Sequence, residues 1–154
     1  MGSVCKQVEL EHVLSALRNN KKIVFTNGCF DLLHVGHVRY LQQAKALGDM
    51  LVMGINSDSS VKAVKSESRP VQNQHDRAEI LSSLAFVDFV VIFEEQTPEN
   101  LIKLVHPDVL TKGGDWTPDK IVGGTFVESY GGKVVSLPYV EGKSTTQIIE
   151  KSKN

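Results

Sequence analysis

The sequence predicts an α/β fold, a Rossmann-like, doubly wound parallel sheet of about five strands in a three-layer α/β/α arrangement. Strand-like and helix-like segments alternate along the chain. The strand segments KIVFTNG (22–28), MLVMGIN (50–56) and VDFVVIF (87–93) are continuous apolar runs rather than alternating ones. A strand buried on both faces reads this way, and parallel sheets covered by helices bury their strands so. The stretch that starts TNG (26–28) lies at the carboxyl end of the first run, NSD (56–58) at the end of the second, and TKGGDW (111–116) follows a later strand. Those ends are where open α/β sheets bind ligands.

Each element follows from local pattern. Val8, Leu10, Val13, Leu14 and Leu17 recur at helical spacing and predict an N-terminal amphipathic helix reaching to about residue 19. After the first strand, Val35 to Leu47 reads as a helix with Val38, Leu41 and Ala44 on one face, stopped by Gly48-Asp49. Residues 50–56 form the second strand. Ser57 to His75 reads as a polar loop and Asp76 to Leu84 as a helix. Residues 87–93 form the third strand. Thr97 is placed as an N-cap with Pro98 at the first helical position, ahead of Glu99 to Val105. Val109 to Thr111 is a short fourth strand, and Thr125 to Tyr130 a helix ended by Gly131-Gly132. KVVSLPY (133–139) is the fifth strand, and Thr145 to Lys151 the last helix. One domain is expected over residues 1–154, with its core from about 21 to 151.

Bulk composition narrows the function classes. At 154 residues and 41% hydrophobic content the chain can bury a sizeable core. Its net charge of −1 argues against a nucleic-acid binder. Two cysteines, Cys5 and Cys29, are too few for a disulfide scaffold. There is no signal-peptide pattern and no apolar run near the ~20 residues of a membrane helix. MGSVCK departs from a myristoylation start at Lys6. A cytoplasmic protein without membrane or nucleic-acid partners is expected.

TNGCFDLLHVGH (26–37) holds the most unusual chemistry. Gly28 allows a sharp turn and close backbone approach. The helix that follows aims free N–H groups and a positive dipole end at the turn, a general anion site. His34 and His37 are three apart at the helix start, and Gly36 between them leaves room for a ligand. The pattern suits a phosphate between two imidazoles. Cys29, Asp31, His34 and His37 are also competent zinc ligands, although their spacing matches no common closed zinc site. GxxxxGK[ST] and GxGxxG are both absent, against a P-loop protein and a dinucleotide-dependent oxidoreductase.

The same twelve residues resemble the T-x-G-x-F-D-x-x-H-x-G-H signature of the cytidylyltransferase-like nucleotidyltransferases. GINSD, SRPV, DRAEIL, VDFVVIFEEQTPENLI, KGGDW and STTQII extend the likeness to the adenylyltransferase domain of the ADP-heptose synthases, over about residues 21–151. The resemblance implies a nucleotidyltransferase fold and transfer of AMP from ATP to D-glycero-β-D-manno-heptose 1-phosphate. ADP-heptose for lipopolysaccharide core or other surface glycans and pyrophosphate are then the products, with Mg²⁺ on the ATP phosphates and no certain protein metal ligand. It implies a stand-alone form, a separate sugar kinase upstream, and a homo-oligomer, dimer or larger. Trp116 stands where the family more often has Tyr.

Site roles follow on that footing. His34, His37 and Lys65 are expected as catalytic groups. Thr26, Asn27, Gly28, Phe30, Gly36, His37, Lys112, Gly113, Asp115, Ser144 and Thr145 are expected to bind nucleotide. Ser144 and Thr145 also read as a plain helix cap. Asp31, Asn56, Asp58, Lys65, Arg69 and Arg77 are expected on the substrate side. Lys62 is a weaker member of the same basic loop. Asp31 orients the turn or a histidine, or approaches Mg²⁺. Arg77 reaches phosphate or pairs with a carboxylate. Cys29 packs in the turn. Other functions consistent with the motif are a cytidylyltransferase acting on glycerol 3-phosphate or another small phosphate, and a nucleotide-binding module without turnover.

Overall fold

A computed structural model describes residues 2–114, 116–138 and 143–153. The strands are β1 (Ser3–Val4), β2 (Ile23–Gly28), β3 (Met50–Asn56), β4 (Phe89–Phe93), β5 (Val109–Gly113) and β6 (Lys133–Leu137). The helices are α1 (Gln7–Leu17), α2 (Val35–Lys45), α3 (Asp58–Val64), α4 (Gln74–Ser82), α5 (Glu99–Val105), α6 (Gly124–Ser129) and α7 (Thr145–Ser152). All strands are parallel, in the order β1-β4-β3-β2-β5-β6. The chain first builds outward from β2 through β3 to β4. It then crosses back by α5 to lay β5 and β6 on the other side of β2. The direction of building therefore reverses between β2 and β5, which opens a crevice at their carboxyl ends.

Two apolar cores flank the sheet. Ile23, Phe25, Met50, Val52, Val91 and Phe93 point to one face and meet Leu10 and Leu14 of α1 and Leu101, Ile102 and Val105 of α5. Val24, Leu51, Met53, Ile55 and Val90 point to the other, under Leu41 and Ala44 of α2 and Ala78 and Leu81 of α4. Period-two alternation divides β2, β3 and β4 between both cores, which is why these strands read as unbroken apolar runs.

Several boundaries differ from the sequence-based expectation. Two N-terminal residues add β1 as a sixth strand at the sheet edge; both side chains are exposed, so no apolar run marks them. The polar stretch after β3 contains α3. Ser57 caps it by accepting from the Ser60 amide at 3.2 Å, and a single fully buried apolar side chain, Val61, anchors it. Asn73, with its side chain accepting from the Asp76 amide at 2.9 Å, starts α4 two residues early. Pro98, not Thr97, occupies the N-cap of α5 and makes no side-chain cap bond. The last residue expected in the fifth strand, 139, lies outside the described residues. No helix among the described residues is long and apolar enough to cross a membrane.

Gly54 in β3 shows how tightly α5 is seated. A Cβ there would lie 2.8 Å from Leu101 Cδ2 and 3.0 Å from Phe25 Cζ. Gly54→Ala should cost about 1–3 kcal/mol by overpacking, measured by urea denaturation. A loss under about 0.5 kcal/mol would show that the α5 contact yields freely.

Candidate functional site

The carboxyl end of β2 leads into α2 through a turn whose geometry is set by side chains. The residue with positive φ is Phe30 (φ 48°), not Gly28. Gly28 instead makes room for the Phe30 ring, which a Cβ would approach to 2.8 Å. That ring, almost fully buried, sits 5.1 Å from the His37 ring and backs it.

His34 is the N-cap of α2. Its Nδ1 accepts from the Gly36 amide at 3.1 Å, and the His34 amide donates to Nδ1 of His37 at 3.3 Å. The two rings stack at 3.8 Å between centroids. Each Nδ1 is thus an acceptor, so in the neutral form each proton sits on Nε2. The space left by Gly36 is filled by the His34 imidazole, which a Cβ would meet at 2.8 Å. Gly36 serves the cap directly and a ligand only through it. Burial, then the Lys143 ammonium, lowers the His34 pKa. Burial, then His34, lowers that of His37 to about 4. Both imidazoles are therefore neutral donors near pH 7.

A second helix N-terminus meets the first. Ser144 caps α7 by accepting from the Gln147 amide at 3.0 Å. Thr145 donates its hydroxyl proton to the Leu32 carbonyl at 2.9 Å, tying α7 to the turn before His34. The backbone of both helix starts and the Lys143 ammonium favour an anion between them.

The lysines stay available. Lys65 caps the carboxyl end of α3 and is exposed. Lys112 on β5 has its pKa lowered by burial and then by the Lys65 ammonium, so the two cations lie close together. Neither forms an ion pair among the described residues. Lys112 Nζ lies 5.2 Å from the centroid of the exposed Trp116 ring, and the indole N–H donates to the Gly113 carbonyl at 2.9 Å. Asp115 lies outside the described residues.

Several expected ligands hold the architecture instead. Thr26 is fully buried, and its hydroxyl meets that of Tyr40 at 2.7 Å rather than the crevice. Asp31, also buried, accepts from Arg69 Nε at 2.6 Å and from the amides of Val71 and Gln72 at 2.8 and 2.9 Å. Burial alone would raise its pKa; the Gln72 and Val71 amides and Arg69 outweigh that and hold the carboxyl below its usual value. Arg69 is correspondingly tied at its Nε to Asp31. Arg77 is buried and donates to the carbonyls of Gln72, Cys29 and Asn56 and to Asp58 Oδ1, at 2.8–3.0 Å. The carboxylate-pairing alternative is the one found, and Asp58 is its partner. The Asn56 amide donates to Ser60 Oγ at 2.8 Å, and its oxygen receives Cys29 Sγ. Lys62 is exposed on α3. Among the described residues no three His, Cys, Asp or Glu side chains converge as a metal site. Tyr40 and Lys143, which no motif marks, also come to this region.

The cytidylyltransferase-like family model matches residues 25–151, which span the whole of this geometry. The chain belongs to the cytidylyltransferase-like family. Its similar relatives are named bifunctional protein HldE. Those from Syntrophotalea carbinolica and Geotalea uraniireducens are 56% and 60% identical over 134 and 131 residues, covering 87% and 85% of this chain. That from Campylobacter fetus subsp. fetus is 55% identical over 148 residues, 96% of the chain. The chain spans only 27% to 31% of the length of these relatives. Among solved structures, the lipopolysaccharide core biosynthesis protein from Thermoplasma volcanium aligns at 27% identity and TM-score 0.65, over 80% of this chain and all of that one. Pantoate-beta-alanine ligase from Francisella tularensis aligns at 16% identity and TM-score 0.67, over 99% of this chain and 77% of that one. The latter likeness concerns the family's fold alone.

Two measurements follow from this geometry. Arg77→Met orphans three carbonyls and Asp58, and should cost about 3 kcal/mol in urea denaturation; a loss below about 1 kcal/mol would remove Arg77 as the clamp. His37 has a folded pKa of about 4 against an ordinary 6.5, so between those values the unfolded chain binds more protons. Stability should therefore fall as pH drops from 6.5 toward 4. The fall in unfolding midpoint should be shallower in His37→Asn, and equal slopes would refute the assignment.

Proposed function

We propose that the chain is a nucleotidyltransferase that moves AMP from ATP to D-glycero-β-D-manno-heptose 1-phosphate, giving ADP-heptose and pyrophosphate. The observation that carries nucleotidyl transfer is the paired cap, two neutral imidazoles locked as Nε2–H donors where two helix N-termini meet. The heptose acceptor rests on the likeness to HldE proteins and on the motifs from GINSD to STTQII.

The nucleophile is a phosphate oxygen of the sugar phosphate, anionic at neutral pH, so no strong base is required. It bonds to the α-phosphorus of ATP in line as the bond to the bridging oxygen breaks, and pyrophosphate leaves with that electron pair. Catalysis is then positioning and neutralisation of spreading negative charge. His34 and His37 donate to the phosphate oxygens. Lys65 and Lys112 supply two cations at the rim with no acidic partner among the described residues, and Lys143 a third beside His34. The glycine-rich end of β5 with Trp116 forms the nucleotide side, and Asn27 and Gly28 close the floor at the end of β2. Arg69, with Nε spent on Asp31, presents its remaining guanidinium N–H groups toward the acceptor.

Mg²⁺ carried on the ATP phosphates would supply charge neutralisation there. The donor set fits that role rather than a protein-held ion. Asp31 and Asp58 are committed to Arg69 and Arg77, and both Nδ1 atoms are committed to backbone amides. The same reading places a sugar kinase before this reaction to supply the 1-phosphate, and an assembly of two or more copies in the cytoplasm.

Pyrophosphate release with ATP or CTP, crossed with both heptose 1-phosphate anomers, glycerol 3-phosphate and no acceptor, tests the reading. Release with ATP and the β-anomer is expected. Release with CTP and glycerol 3-phosphate would keep the imidazole chemistry and move the substrate. His34→Ala and His37→Ala should each lower kcat by about 10²–10³ while the far-ultraviolet circular dichroism stays unchanged. Near-normal turnover in both would refute the mechanism.

A further inference from the structure

The β2–β5 ladder stops early. It pairs Val24 with Val109 and Phe25 with Leu110 and goes no further. On the outer sides the ladders continue, to Gly28 with Ile55 between β2 and β3 and to Gly113 with Leu137 between β5 and β6. The next residues on the two parted strands are both threonines, Thr26 and Thr111, at 0% and 1% exposure. The Tyr40 hydroxyl stands between them, 2.7 Å from Thr26 Oγ1 and 2.9 Å from Thr111 Oγ1. Thr111 donates in turn to the Phe25 carbonyl at 3.4 Å. The three hydroxyls thus form one connected chain that reaches the Phe25 carbonyl.

We propose that Tyr40 is a positioning residue whose hydroxyl, bridging Thr26 and Thr111 where the ladder ends, sets the width of the crevice and hence the spacing of the imidazole pair from Lys112. The proposal rests on the nucleotidyl-transfer reading above. Tyr40 follows His37 by three residues on α2, so the two side chains share a helix face. Thr111 directly precedes Lys112 on β5. A pull on this bridge therefore moves the donors on α2 against the cation on β5.

Packing alone does not require these hydroxyls. The Tyr40 ring already lies against the apolar core that holds Leu41 and Ala44. Valine would fill either threonine site, and replacing all partners of a buried polar network by apolar groups of the same shape is close to neutral for stability. What the hydroxyls add is a defined separation between two strands that no backbone bond joins at that level. Misplacing groups around a reacting phosphate by about 1 Å costs on the order of 10²-fold in rate.

The test uses the full chain in four variant forms, Tyr40→Phe, the isosteric triple variant Thr26→Val/Tyr40→Phe/Thr111→Val, Thr111→Val and Thr111→Ser. The triple variant removes all three hydroxyls of the bridge together. Unfolding midpoint, calorimetric ATP affinity, and kcat and KM for pyrophosphate release are read in each. The triple variant should unfold within a few degrees of the wild type, bind ATP several-fold more weakly and turn over about 100-fold more slowly. Should it not fold, Tyr40→Phe is read for the same signature. Thr111→Ser, which keeps the hydroxyl, should recover the turnover that Thr111→Val loses. ATP affinity and kcat within twofold of the wild type in a folded variant would overturn the proposal. A wild type that binds ATP but serves none of the acceptors would overturn the reaction reading alone, and the ATP affinities of the variants would then decide the bridge. A wild type that does not bind ATP would overturn both.

Discussion

Two imidazoles share the capping of a single helix, and the arrangement of the site depends on that exchange. An N-terminal helix turn leaves amides without partners, and most proteins cover them with serine, threonine or aspartate. Here His34 accepts from Gly36, and His37 accepts from the His34 amide. The exchange leaves no freedom of tautomer. It requires a glycine at position 36, because the His34 ring fills the place of its Cβ. It places the rings in stacking contact, and burial keeps both uncharged. A cap that stabilises the helix thereby also aims two N–H donors outward.

Charge is divided between two tasks. Buried Asp31 and Arg77, with the partly exposed Arg69 and Asp58 as their partners, form two ion pairs that bind the ends of β2 and β3. Taking Asp31 and Arg77 out of water is costly, and their several hydrogen bonds offset that cost. They hold the turn and the 69–72 segment in place. The cations Lys65, Lys112 and Lys143 sit at the rim with no acidic partner among the described residues; Lys65 weakens the proton hold of Lys112, and Lys143 that of His34. Mutual repulsion of this kind is relieved by an anion, so the rim is electrostatically incomplete without one.

How much could be read from the chain varies by residue. His34, His37 and Gly36 were legible because their spacing has one compact explanation at a helix start. The place of Lys112 at a strand end was legible from the glycines beside it. Arg77 was not, because a guanidinium near phosphate chemistry and one clamping three carbonyls look the same in a sequence; only the convergence of Cys29, Asn56 and Gln72 on it distinguishes them. Thr26 misled for a related reason. It belongs to the signature, yet strand alternation turns it toward α2 and Tyr40 rather than toward the crevice. α3 was hidden because one apolar residue, Val61, carries its burial and gives no periodicity.

By itself the sequence determined the layered parallel architecture, since apolar runs of strand length alternating with amphipathic helices can bury their surfaces in few other ways. It also determined the paired cap at the start of α2, because capping and glycine requirements are local and act over a few residues. The tertiary structure alone decided which polar side chains face the crevice and which are spent within the fold. That choice depends on partners 14 to 113 positions away, such as Tyr40 for Thr26 and Leu32 for Thr145. A buried polar group must take whatever partner the packed sheet and helices bring to it, and no local pattern encodes that meeting.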